Sequence, residues 1–244
     1  MWAYRKRDVC PVSEAIILAG GLGTRLRPVL ADLPKPMAPI AGRPFLAYLL
    51  SYLEEQGIRS VILSVGHQHD AICSCFGQRF GDLQLRYAIE EDPLGTGGAI
   101  RFALGLVESP FVFVLNGDTF LGLDYTAMAE LVDDSANLLA VALRYVKDGS
   151  RFGQALLSDG YIRGFSSSGV SGPALINGGV YLMSARLFRQ FPMPDKFSFE
   201  TDFLQPKVSD ICPRAFVCDV PFIDIGIPED YRRSQTLLPE WRGH

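Results

Sequence analysis

The stretch AIILAGGLGTRLRP, Ala15 to Pro28, runs from apolar residues into glycines and two arginines, and Lys35 follows between Pro34 and Pro36. Bare backbone presents N–H groups at close range, and cations beside them suit a polyphosphate. Two familiar phosphate loops do not fit. A P-loop needs a Gly-Lys pair, and here Arg25 stands five positions after Gly20 with no such pair. A dinucleotide fingerprint needs a third glycine where Leu26 stands. A second chemical group lies further on. Asp118 ends the apolar run FVFVLNGD, so a carboxylate sits just past a buried strand, where open α/β sheets place ligands. A helix-cap or turn aspartate is the alternative.

Such groups need a scaffold, and the apolar spacing supplies one. Ala15–Ala19, Val61–Val65 and Phe111–Leu115 are continuous apolar runs, and Leu83–Ile89 alternates. Between them, Phe45–Gln56, Ala71–Phe80 and Gly97–Val107 have helical spacing. Strand and helix therefore alternate, and strands apolar on both sides imply a mostly parallel, mixed central sheet covered on both faces: an α/β, Rossmann-like three-layer sandwich. Beyond it, strands are expected at Leu138–Val146, Ala155–Phe165 (broken at Asp159-Gly160) and Gly179–Met183, and a short helix at Ala185–Phe191. No linker or repeat divides the 244 residues, so a single domain is expected over 1–244, with 1–13 as an N-terminal extension.

Composition narrows the function. Hydrophobic residues make up 48% and charged residues 20%, enough for a packed core. A net charge of −4 argues against a broad nucleic-acid or membrane footprint. Five cysteines are too few and too scattered for a disulfide framework, which points to a reducing cytoplasm. The N-terminus has no signal-peptide apolar region, and no run nears ~18 apolar residues.

LAGGLGTRLRP with LPKPM, then EEDPLGTGGAI, VLNGD, INGGVY, FSFETDF and FIDIGIPEDY, resembles in order the motifs of the sugar-1-phosphate nucleotidylyltransferases. Within that family the match is nearest to the D-glycero-α-D-manno-heptose 1-phosphate guanylyltransferases, with the mannose-1-phosphate guanylyltransferases close by. The resemblance runs from about Ala15 to Tyr231 and implies a nucleotide-diphospho-sugar transferase fold with no hexapeptide-repeat domain. It implies an enzyme that joins GTP, or another NTP, to a sugar 1-phosphate. Pyrophosphate leaves, and the NDP-sugar formed serves surface polysaccharide synthesis. Neither nucleic acid nor membrane is an expected partner, and a homodimer is a possible assembly.

The resemblance also distributes roles. Arg25 and Lys35 are the catalytic cations: Arg25 on the phosphates that leave, Lys35 near the reacting centre. Leu18, Ala19, Gly20, Gly21, Gly23 and Thr24 border the triphosphate. Glu90, Pro93, Gly95 and Thr96 belong to the base-reading segment, whose glycines would let a nucleobase lie against the backbone. Guanine offers two adjacent donors and a carboxylate only accepts, so Glu90 favours GTP over dTTP or UTP; an exposed strand-end glutamate is the alternative. Asn116, Gly117, Asn177, Gly178, Gly179 and Glu200 are implied on the sugar side, the last two glycines clearing space for the ring. Asp118 and Asp224 are implied as Mg²⁺ ligands, which with phosphate oxygens and waters would complete a shell.

The pattern departs from the family in one place. Many members carry a Glu-Lys pair before the sugar segment, and here GFSSSGVSGPALINGG has no lysine. Arg151 or Arg163 could replace it, and a binding protein without turnover is the non-enzyme alternative. HQHDAICSC gathers His67, His69, Cys73 and Cys75, but in a spacing unlike structural zinc sites.

Overall fold

The computed structural model describes residues 10–21, 33–132, 137–151, 153–166, 169 and 171–241. Gly23, Thr24 and Arg25 lie outside the described residues. In chain order the strands are β1 Glu14–Leu18, β2 Pro39–Ile40, β3 Arg43–Pro44, β4 Ser60–Val65, β5 Arg79–Phe80, β6 Leu83–Ile89, β7 Phe111–Asn116 and β8 Thr119–Leu121. They continue as β9 Leu139–Val146, β10 Gln154–Ser158, β11 Tyr161–Ser166, β12 Ala174–Ser184, β13 Arg214–Cys218 and β14 Phe222–Asp224. The helices are α1 Phe45–Glu55, α2 His69–Phe76, α3 Gly95–Leu104, α4 Tyr125–Ala129, α5 Leu187–Gln190, α6 Gln205–Ile211 and α7 Pro228–Glu240. A 3₁₀ turn covers Lys35–Met37 and a π-helix Phe199–Leu204.

Ten strands form the main sheet in the order β10-β11-β13-β9-β12-β7-β1-β4-β6-β5. The run β7-β1-β4-β6 is parallel. Beyond β7 the pairing is mainly antiparallel, because β12 lies antiparallel between β7 and β9. The expected mixed α/β sheet is therefore found, with its parallel part concentrated in the N-terminal half.

Continuous apolar strands arise because both faces are covered. Ile17, Leu63 and Phe113 pack on one face with Phe45, Leu46, Leu50 and Leu53 of α1. Ile16, Ile62 and Val112 pack on the other with Ile100 of α3, Phe203 of the π-helix and Val208 of α6. Cys10 and Val12 are buried in the first of these layers, so residues 10–13, expected as extension, belong to the packed body. The less regular segments resolve similarly. Ala71–Phe80 divides into α2 and the edge strand β5, and Ala155–Phe165 is a hairpin turning at Asp159-Gly160, with Asp159 at φ 55°.

β1 is followed on one side by β4 and flanked on the other by β7, so the strand order reverses between β1 and β7. The chains leaving these strands part there and open a crevice beyond their C-terminal ends, where doubly wound sheets bind ligands. Register places Leu18 opposite Asn116 at its floor. Gly117 closes that floor by donating its N–H to the Leu18 carbonyl at 3.0 Å. A β-carbon on Gly117 would overlap that carbonyl oxygen, which is backbone and cannot swing aside. Gly117→Ala is expected to destabilise the fold by ~1–3 kcal/mol, as overpacking of a tight contact does, read as a lower urea midpoint at unchanged slope.

Candidate active site

A cavity of about 400 Å³ opens at this crevice, lined by Leu18 and Gly21 after β1, Asn116, Gly117 and Asp118 after β7, and Lys35 and Pro36 from the 3₁₀ turn. Its opposite wall is Thr96, Tyr181, Ser198, Phe199 and Glu200.

Two carboxylates stand at one end. β8 and β14 form an antiparallel pair that sets Thr119 against Asp224, and Ile225 N–H donates to the Asp118 carbonyl at 3.0 Å. Asp118 and Asp224 thus become neighbours although far apart in the chain. The Lys35 ammonium sits 2.5 Å from Asp118 Oδ2 and 3.9 Å from Asp224 Oδ1. Its backbone is fixed by the flanking prolines and by the Met37 N–H to Pro34 carbonyl bond of 2.8 Å. Gly226 makes room, since a β-carbon there would overlap Lys35 Nζ and crowd Asp224 Oδ1. Burial, and next the charge of Asp118, hold the Asp224 carboxyl above the usual aspartate range, while the Gly226 N–H and Lys35 pull it down without cancelling the rise.

The opposite wall carries a second polar group. Glu200 Oε1 accepts from the Tyr181 hydroxyl at 2.6 Å and from Asn177 Nδ2 at 3.2 Å, and Asn177 Nδ2 also donates to the Tyr181 oxygen at 2.8 Å. Burial and the neighbouring Glu200 charge push the Tyr181 phenol well above its ordinary range, so it stays protonated and donates. A bulge in β12 between Asn177 and Tyr181 turns both side chains to the same group. The glycines inside it lie against packed neighbours. A β-carbon on Gly178 would press on Leu121 and the Ala142 carbonyl, and one on Gly179, at φ +70°, would press on the Asn116 side chain. They allow core packing and the bulge itself. Glu200 lies in a π-helix, a geometry frequent at functional sites. Tyr181 was absent from the sequence-derived site, although a buried tyrosine in INGGVY must find a polar partner, which was the available signal.

The third region surrounds Glu90, which is outside the cavity lining. Its Oε1 accepts from Ser64 Oγ at 3.1 Å and its Oε2 from Leu94 N–H at 3.1 Å. A β-carbon on Gly20 would lie 3.5 Å from Glu90 Oε1, so this carboxylate borders the loop after β1. The Ala19 N–H is used on the Ser64 carbonyl at 2.7 Å. Pro93 is exposed at the tip of the same segment. The bare α-carbon of Gly95, at φ +72°, faces the Phe197 carbonyl, where a β-carbon would clash.

Neither candidate for the missing lysine lines the cavity. Arg151 lies 3.9 Å from Glu229, and Arg163 stacks on Tyr161. Lys35 is the one cation among the described lining residues. Among the described residues no three His, Cys, Asp or Glu side chains gather to hold a metal, HQHDAICSC included.

The chain matches a recognised family. Residues 14–240 match the model of the family described as nucleotidyl transferase, and the chain belongs to that family. Its relatives narrow the group. D-glycero-α-D-manno-heptose 1-phosphate guanylyltransferase of Aneurinibacillus thermoaerophilus is 43% identical, over 93% of this chain and 99% of the relative. The enzyme of the same name from Campylobacter jejuni is 42% identical, over 89% and 96%. Among solved structures, HddC of Yersinia pseudotuberculosis, also known complexed with GMP-PN, is 41% identical with a TM-score of 0.82, over 92% of this chain and 98% of that one.

The electrostatics of the carboxylate pair are testable directly. Asp118→Asn removes the charge that helps to raise Asp224, so the Asp224 titration should move down, followed by carbon-13 NMR of the side-chain carboxyl. No movement, or an upward one, contradicts the coupling.

Proposed function

We propose that this chain transfers GMP from GTP to a sugar 1-phosphate, D-glycero-α-D-manno-heptose 1-phosphate, in the cytoplasm, releasing pyrophosphate and forming GDP-heptose. The observation that carries this reading is the convergence of Lys35, Asp118 and Asp224 at the β1/β7 crevice. The names of the relatives at 42–43% identity support the choice of base and sugar.

In this reading a sugar-phosphate oxygen attacks the α-phosphorus of GTP in line. A new P–O bond forms, the bond to the β-phosphate oxygen breaks, and pyrophosphate departs. Little covalent chemistry falls to the protein, which aligns two polyanions and offsets their charge. Lys35 sits at the carboxylate end of the cleft, where its ammonium can turn to the reacting phosphate. Glu200, held through Oε1 by Tyr181 and Asn177, keeps Oε2 for sugar hydroxyls. Glu90 accepts one bond from the protein on each oxygen, and a carboxylate has further acceptor sites for the guanine N–H groups. Arg25 would grip the departing pyrophosphate through its planar fork.

Asp118 and Asp224 fit a divalent cation. Both carboxylates are about one-third exposed at the cleft and share a single ammonium, that of Lys35, among the described lining residues. They are the residues that would hold Mg²⁺, and the bound ion would screen the phosphate charges.

The direct test is pyrophosphate release measured across GTP, dTTP and UTP with heptose, mannose and glucose 1-phosphates. GTP with the manno-heptose phosphate is expected to be turned over best, and strong preference for a pyrimidine nucleotide, or no turnover with any pair, would overturn the proposal. Asp118→Asn and Asp224→Asn should each lower turnover at least ~100-fold, about 2.7 kcal/mol, with the fold intact by circular dichroism; near-normal rates in both would remove the metal reading. Glu90→Gln should narrow the gap between GTP and the pyrimidine nucleotides, and an unchanged ratio would remove Glu90 from base recognition.

A further inference from the structure

We infer that Thr96 is a positioning residue for Glu200, acting on the sugar 1-phosphate subsite from within the segment that family resemblance places on the nucleotide. The inference rests on the proposed function, which puts Glu200 on the sugar.

The geometry begins at the start of the π-helix. Phe199 is its first residue, and the N–H groups of a first helical turn have no partner inside the helix. Two are satisfied locally by the cap residue: Ser198 Oγ accepts from Thr201 N–H at 3.3 Å, and the Ser198 carbonyl from Asp202 N–H at 3.1 Å. The Phe199 N–H is satisfied from another element, by Thr96 Oγ1 at 2.9 Å. Glu200 is the next residue. The Thr96 hydroxyl therefore fixes the Ser198–Phe199 peptide unit, one residue ahead of Glu200, and it does so at the cavity wall that both Thr96 and Glu200 line.

The contact belongs to a larger clasp. Phe197 N–H donates to the Leu94 carbonyl at 3.0 Å, and the Phe197 carbonyl accepts from Gly97 N–H at 2.9 Å. Arg101 of α3 donates to the Met193 carbonyl and to Asp195, both at 2.7 Å. Gly97 and Gly98 have no side chain because Phe197 and the Asp195 carbonyl occupy that space. Residues 193–199 are thus bound along α3 from Thr96 to Arg101, and Leu94, the residue before the helix, is held by Glu90. One hydrogen-bonded body joins the Glu90 loop to the Glu200 helix. Within it Thr96 is the side-chain link nearest Glu200.

A purely structural cap would cost stability and leave both substrates bound as before. A positioning role moves one Michaelis constant and leaves the other. Thr96→Val keeps shape and removes the acceptor. Measured with purified full-length protein, it should raise KM for the manno-heptose 1-phosphate by ~10-fold or more, with KM for GTP changed less than ~2-fold. Thr96→Ser should restore the sugar KM, because it restores the oxygen. Thr96 is exposed, so the variant should melt within a few degrees of the parent. Glu200→Gln is run beside it. If Glu200→Gln raises the sugar KM and Thr96→Val does not, or if Thr96→Val moves the GTP KM as much as the sugar KM, the positioning role is overturned. If Glu200→Gln leaves the sugar KM unchanged, the proposed sugar site itself has failed.

Discussion

The Lys35 ammonium set between Asp118 and Asp224 is the interaction on which the cleft depends. Three segments far apart in the chain meet there: the turn after the glycine-rich loop, the exit from β7 and the end of β14. None is held by this contact alone. The turn beyond Lys35 is gripped by α7, with the Tyr231 hydroxyl donating to the Pro39 carbonyl at 2.9 Å and Gln235 both donating to that carbonyl at 3.0 Å and accepting from Ala41 N–H at 2.9 Å. β8 and β14 fix the carboxylates relative to each other. The final helix therefore serves the site by holding the lysine's turn, without entering the cleft.

The arrangement suits a transfer between polyanions. Two carboxylates face one ammonium at this end of the cleft, and burial first, with the Asp118 charge next, holds the Asp224 carboxyl above its ordinary range. A cation entering with a nucleotide would offset the paired charge and free Lys35 for phosphate. At the other wall, Tyr181 and Asn177 pin one oxygen of Glu200 and thereby orient the other, so this carboxylate has little freedom left to lose on meeting a ligand. The clasp between α3 and residues 193–199 joins the wall that carries Glu200 to the segment held by Glu90, so these two parts form one hydrogen-bonded body.

Much of this was legible in the sequence. β1, β4 and β7 announced themselves because both faces are buried, which leaves continuous apolar runs. Asp118 was legible as a carboxylate at a strand exit, and Lys35 by its flanking prolines. β8 and β14 were not, since three residues carry no periodicity, yet their pairing brings Asp118 and Asp224 together. The glycines have packing reasons that only the fold displays. Gly95, Gly178 and Gly179 suggested room for a ligand, whereas their α-carbons face Phe197, Leu121 and Asn116. A sequence shows that a side chain is missing but not which neighbour fills the space. Tyr181 was missed for the complementary reason: its hydroxyl acts through Glu200, and that pairing exists only once the β12 bulge forms.

The central claim is that Lys35 acts on the reacting phosphates and is more than a counter-ion for two aspartates. Steady-state kinetics of Lys35→Ala, with GTP and the manno-heptose 1-phosphate varied separately, tests this most directly. A contact that strengthens in the transition state acts on turnover, so kcat should fall ~100-fold or more while KM for GTP stays within a few-fold. A folded variant with near-normal kcat, or one whose only defect is a raised KM, would contradict the account.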